Sequence, residues 1–313
     1  MNQQAQPQSS VLEVQQLLNK QYLGELAAAD EFDAIGLHGR ATDVAHAERE
    51  WMHGEEARCD RAGMPTTPGE FDTWYRALFK RQIDASEAFF HSIAHECSIE
   101  QLSMYVCFEE QVDGRFDDVI ALAQLGLKGN EKLALASNFW DEMGEGQLEE
   151  MHTILFNESA KYFSDILRRS AIADLLKPTP AALANGNILM LLALRRKYSL
   201  RLLGALTLLE QTAPHRFSKT VQGMRRLGVP ESVIYYHEMH VRVDAKHGHD
   251  LLNKVIGPMI QRTPSIIGEI ALGALTRFNI ATDYYKNLEH LFQVANLRAE
   301  RASESQTETV QSR

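Results

Sequence analysis

The sequence predicts an all-α fold, a helical bundle with an N-terminal helical extension, and three observations carry that prediction. Apolar residues recur at helical spacing along nearly the whole chain, and no stretch alternates in the manner of a strand. Gly and Pro gather between the periodic segments, where they end helices. No Pro-, Gly- or Ser-rich linker divides the 313 residues. The pattern therefore reads as a single domain over 11–300, with polar, disordered tails at 1–10 and 301–313.

The first periodic segment, Val11–Ala29, carries Val11, Leu12, Leu17, Leu18 and Leu23. Residues 30–48 are mixed, and DRAGMPTTPGE at 60–70 is a loop. Phe71–His95 places Trp74, Leu78, Phe79, Ile83 and Phe89 on one helical face. Ser98, with Gln101 three residues on, is a capping box that opens a helix running to about Leu125 and ending at Gly126. After the turn GLKGN come helices at Glu131–Met143 and Met151–Ser170. Lys177–Pro180 and Asn185–Gly186 mark a loop, followed by a strongly apolar helix at Ile188–Glu210. Ser218–Leu227 is a short helix closed by Gly228. Pro230 and Glu231 open the next helix, which Gly257–Pro258 stops. Ser265–Gln293 is the last helix, with Gly268 and Gly273 expected to admit close packing.

Composition excludes several function classes. A hydrophobic share of 44% with 24% charged residues is ordinary for a globular chain. A net charge of −10 and the lack of a basic block argue against a nucleic-acid partner. MNQQAQPQSS has no signal-peptide pattern, and the best apolar run, NILMLLAL, is stopped by Arg195–Lys197, so no membrane association is expected. Cys59, Cys97 and Cys107 are scattered and odd in number, which suits a reducing cytoplasm rather than a disulfide framework.

The chemistry concentrates in YYHEMHVRVDAKHGHDLL, Tyr235–Leu252. His240, Asp244 and His247 form an H-x3-D-x2-H array. At about 100° per residue, Asp244 falls roughly 40° to one side of His240 and His247 roughly 20° to the other. Three good ligands for iron, manganese or zinc thus share one narrow stripe, flanked by Val241, Val243 and Leu251. The competing reading is a polar stripe on a bundle surface. Burying two imidazoles and a carboxylate without a cation would carry a large desolvation cost. Other helices hold acids or imidazoles among apolar neighbours: Glu210 at the end of LLGALTLLE, Glu142 in NFWDEMGEG, His152 in MHTILF, and Glu109 and Glu110 after MYVCF.

That set resembles the haem-oxygenase-like diiron oxidases and oxygenases over roughly residues 90–260. The array looks like the third core-helix signature of that family. Glu210 keeps the family's spacing of a ligating Glu before the array, and Glu142 with His152 is similar to its Glu-then-His helix. Glu109 or Glu110 stands for the Glu of the first core helix; Glu109, two turns before Phe116 on one face, is favoured. FDDVIALAQLG and NFWDEMGEG are also similar to bacterial proteins described as iron-containing redox enzymes. The resemblance implies two Fe(II) ions, with an iron–manganese pair as the alternative, O2 as co-substrate, and an external electron donor, a reductase or chemical reductant. It implies Glu142 bridging or terminal, Glu210 terminal, His240 and Asp244 on one iron, and His152 and His247 on the other. The implied reactions are N-oxygenation, oxidative C–C cleavage or decarboxylation of a small amine or amino-acid-derived substrate in natural-product biosynthesis. A fatty-acid decarboxylase and a metal-free helical binding or scaffold protein are the alternatives, and a homodimer is compatible with either.

One feature conflicts with a simple helix. On a straight helix Glu142 and His152 would lie about 15 Å apart along the axis, whereas two metals in such a site sit about 3.5–4 Å apart. Both can ligate only if the helix breaks, so an irregular segment is expected at about 144–150, made available by Gly144 and Gly146. For the substrate, Arg195, Arg196, Arg201 and Arg242 are candidate carboxylate clamps, and Tyr236 and His237 candidate neighbours of the site.

Overall fold

The computed structural model describes residues 10–28 and 41–311, with residues 41 and 300–311 in backbone only. It is 86% helical and has no strand among the described residues, so the fold is all-α. The expectation of disorder at 1–9 lies outside the described residues. At the other end the backbone of the last helix continues over 301–311 of the expected tail, and 312–313 lie outside the described residues.

The early helices begin where the sequence supplies caps. Ser10 and Glu13 close a capping box at α1 (Val11–Glu25), and Thr67 and Glu70 do the same at α3 (Pro68–His95) after α2 (Ala41–Arg58). Ser98 with Gln101 caps α4 (Ile99–Asp113). The single helix expected to run to Leu125 is interrupted at Gly114–Arg115, and α5 (Phe116–Ala123) follows as a separate element. Next come α6 (Gly129–Glu142) and α7 (His152–Leu167), separated by two 3-10 turns.

The expected loop at Asn185–Gly186 lies inside α8 (Pro180–Leu194). Both flanking amides are satisfied at a distance: Asn187 Nδ2 donates to Gln15 O at 2.9 Å, and Asn185 Oδ1 accepts from Arg277 at 2.7 Å. A turn at Arg196–Tyr198 breaks the expected Ile188–Glu210 helix, and α9 then runs from Ser199 to Arg226 without interruption. Pro214 sits inside it. Its ring has no N–H, so the carbonyl of Glu210, four residues earlier, loses its helical donor there.

Helix α10 (Glu231–Asp250) does not stop at Gly257–Pro258. It passes through a π-helical turn, Leu251–Ile256, into α11 (Gly257–Arg262), because Pro is tolerated in a first turn. Helix α12 (Ile267–Gln311) closes the bundle. Gly273 lies against the carbonyl of Arg201, as expected for close packing, whereas a side chain at Gly268 would meet open space.

Helix α9 is the axis of the bundle, packed by α10, α12 and α3. Two apolar cores meet along it. Leu202, Leu203, Leu206 and Leu209 enter one; Ala213, Phe217, Val221 and Met224 enter the other. Glu210, fully buried, falls at the join.

Candidate metal centre

The centre is assembled by α6, α7, α9 and α10. Glu142 ends α6, and the chain then reverses through Gly144, Glu145 and Gly146, all with positive φ (60°, 52° and 87°). The expected irregular segment is therefore present. Its tightness leaves no room at Gly144, where a Cβ would lie 2.5 Å from the carbonyl carbon of Glu150. Helix α7 restarts at His152, whose ring is carried back beside Glu142. Opposite, α10 presents His240, Asp244 and His247 on one buried stripe. Gly248 lets α10 approach α9 closely: a Cβ there would lie 2.6 Å from Gln211 Cγ and 2.8 Å from its amide nitrogen.

Six buried side chains fall into two groups of three, Glu142–His152–His240 and Glu210–Asp244–His247. In each, ligand-type atoms from all three residues lie within 4.8 Å of one another. The groups adjoin, since His247 Nδ1 lies 3.8 Å from Glu142 Oε1 and 3.7 Å from Glu210 Oε2. This grouping differs from the pairing drawn from the resemblance: His240 stands with His152, and Asp244 with His247. The cause is the 144–151 segment, which swings His152 over the N-terminal part of the stripe, ring centroids 4.5 Å apart from His240.

Glu109 and Glu110 stand in neither group. Glu109 accepts from Tyr284 Oη at 2.7 Å and is ion-paired with Arg216; Glu110 is exposed. Asp113, one turn on from Glu109 and also buried, is held by the same Arg216 at 3.2 Å. Spacing could have shown this, because Glu109 and Asp113 are four apart on one helical face. The arginine candidates also resolve. Arg195 pairs with Glu25 and Glu48, Arg201 with Glu56 and Glu269, and Arg196 donates to the carbonyl of Leu125. His237 is 3.0 Å from Ser159 Oγ.

Two of the three imidazoles are oriented by a partner outside the groups. His240 Nδ1 is 2.6 Å from the carbonyl of Tyr236, so it carries the proton and Nε2 keeps the lone pair. His247 Nε2 is 2.9 Å from Asp141, which leaves Nδ1 facing the carboxylates. Asn138 donates to Glu210 Oε1 at 3.0 Å. Asn138 and Asp141 escaped the sequence reading; Asp141 had no signal beyond its place next to Glu142.

Buried atoms without hydrogen-bond partners test whether the donors fit a metal. Glu142 Oε1, His152 Nδ1, Glu210 Oε2 and His247 Nδ1 are all of this kind. Glu142 Oε2 and His152 Nδ1 are 2.8 Å apart without hydrogen-bond alignment, as two lone pairs directed at a common point would be. Burial pushes the Asp244 carboxyl well above its ordinary range, with Glu210 adding to it, and pushes the His240 imidazole well below. Burial opposes charge on His247 too, but Glu210 and Asp141 override it and hold its pKa at about 11. The pocket thus demands positive charge. Three carboxylates and three imidazoles without a thiolate suit iron or manganese, so the residues fit the implied ions.

A cleft of about 540 Å³ reaches this centre at His152, between the 144–150 segment and α10. Tyr235, Met239 and Arg242 line one wall; Gly144, Glu145 and Glu150 line the other. No helix is long and apolar enough to cross a membrane among the described residues.

A search of curated proteins finds no match. A family model described as iron-containing redox enzyme, of the haem-oxygenase type, matches residues 104–282, more than half of the chain. The match spans all six clustered residues and every helix that carries them. The chain belongs to the iron-containing redox enzymes and is an oxidoreductase.

Proposed function

We propose that the two groups each hold one iron and that the protein is a non-haem diiron oxygenase or oxidase. Its proposed substrate is a small amine or amino-acid-derived molecule, transformed by N-oxygenation or by oxidative C–C cleavage or decarboxylation in natural-product biosynthesis. The observation that carries this reading is the adjacency of two buried carboxylate–imidazole triplets whose donor atoms have no other partner. When bound, a pair of Fe(II) ions supplies electrons for O2 activation, with a reductase or chemical donor restoring them.

The chain's own contribution is binding, orientation and exclusion of water. Asp141 and the Tyr236 carbonyl fix the ring orientation of His247 and His240, so each presents one defined nitrogen. Asn138 holds one oxygen of Glu210 and leaves the other for the ion. Phe217 and Tyr236, both buried, form a dry wall beside the His240 ring, with Phe156 packed on Tyr236. Substrate approaches through the His152 cleft, where the exposed guanidinium of Arg242 can receive a carboxylate as a two-point fork.

Anaerobic loading with Fe(II), followed by metal analysis, tests the reading. The expected content is two irons per chain, falling to one or fewer in His247→Ala and in Glu210→Ala. Wild-type protein that retains less than one iron per chain would refute it. Exposure of the loaded protein to O2 with panels of amines and amino acids then identifies the product class.

A further inference from the structure

A second polar chamber lies outside the six clustered residues, enclosed by α3, α9 and α12. Its walls include Gln82, Ser86, Thr212, Arg216, Arg277 and Tyr285. It has room for about 20 Å³, enough for one occupant of water size or slightly larger. Two observations call for an occupant. Gln82 is only 3% exposed, yet neither its Nε2 nor its Oε1 has a hydrogen-bond partner. Arg277 is 6% exposed, and its hydrogen bonds go to the neutral Asn185 carbonyl at 3.1 Å and Asn185 Oδ1 at 2.7 Å. No described carboxylate comes within ion-pair reach of it.

A buried guanidinium without a counter-charge is costly. Arg216 cannot relieve it, being a cation itself, and its two acids, Glu109 and Asp113, are already engaged with it. The desolvation shows in the Arg277 pKa, lowered to about 10 by burial. Donors dominate the chamber. Ser86 and Thr212 spend their hydrogens on the carbonyls of Gln82 and Leu208, but the Gln82 amide, two guanidiniums and a phenol face the space.

We propose that this chamber binds a single monatomic anion of halide size, chloride under ordinary conditions, held between Arg277 and the Gln82 amide. Such an ion supplies the missing negative charge beside Arg277 and accepts from the orphaned Gln82 Nε2. A carboxylate-bearing metabolite or a sulfate is too large for the space.

Full-length, iron-loaded protein is compared in sodium chloride and in sodium gluconate, whose anion cannot enter, at one ionic strength. Chloride is expected to raise Tm by about 3 °C. The rise is expected to disappear in Gln82→Leu, which removes the amide donor without altering charge. Iron-stripped protein should show the same rise, so failure of the diiron reading would not remove it. Crystals grown in bromide should show an anomalous peak between Gln82 and Arg277. Equal Tm in the two salts, a rise that survives in Gln82→Leu, or a water with no bromide signal at that point would each overturn the proposal.

Discussion

Asp141 is a residue whose effect can be separated from the six it supports. It touches His247 at 2.9 Å and Lys246 at 2.6 Å, and the bond to His247 leads in pulling its pKa down to about 2. Asp141→Asn should weaken iron binding by about 10–100-fold, as removal of a ligand-orienting carboxylate does, and change Tm little. Iron titration followed by calorimetry checks both. Glu110→Gln should leave iron binding unchanged, because Glu110 faces solvent. Arg216 has the opposite profile. Its removal in Arg216→Met leaves Glu109 and Asp113 buried without their cation, at a cost of about 3–5 kcal/mol in a denaturant titration. A loss under about 1 kcal/mol would show that those acids are neutral in the folded state.

The helices were legible because they bury apolar stripes, and α1, α3, α4 and α8 also announce their starts with a cap, as Ser98 and Gln101 do for α4. The H-x3-D-x2-H stripe was legible because three ligand types on one helical face are a local property. What stayed hidden depends on residues distant in sequence. Asn185–Gly186 reads as a loop until Gln15 and Arg277 arrive to satisfy the neighbouring amides. The division of six ligand-type residues into triplets depends on where the 144–151 segment returns the chain, and helical spacing carries no such information. Glu109 looked like a site residue because it is acidic and shares a helical face with Phe116; it is buried, and Arg216 on α9 pairs with it. The 144–146 turn is itself open to test. Gly144→Ala places a methyl in a left-handed backbone conformation and against Glu150, so about 1–3 kcal/mol of stability should be lost. Iron content should fall toward one per chain, since His152 would be displaced while the Glu210 triplet remains.

The N-terminal helix joins the bundle through side chains as well as apolar contact. Arg195, at the end of α8, donates to both oxygens of Glu25 at 2.7 Å and reaches Glu48 on α2. The Arg195 bonds lead in lowering the Glu25 pKa below its ordinary 4.5. A depressed carboxyl stabilises the fold above the unfolded value and loses that contribution as pH falls through the folded one. Amide protection across Val11–Glu25, corrected for the intrinsic pH dependence of exchange, should therefore fall below about pH 4.5. The Tm difference between wild type and Glu25→Gln should be fully present at neutral pH and close in the same acid range. A gap that persists unchanged at pH 3 would remove the ion pair from the account. Iron should add to all of this by mass action, raising Tm in proportion to the logarithm of free metal above its dissociation constant.

Pro214 leaves a softened rung in the rod at the centre of the bundle, and that rung is Glu210. The backbone oxygen there is released from its ladder, so the carboxylate-bearing turn can tilt without breaking anything else. Rigidity and grip are thereby set against each other. Pro214→Ala would restore the missing rung, giving a sturdier rod and a Glu210 with less freedom to follow an ion as its charge changes.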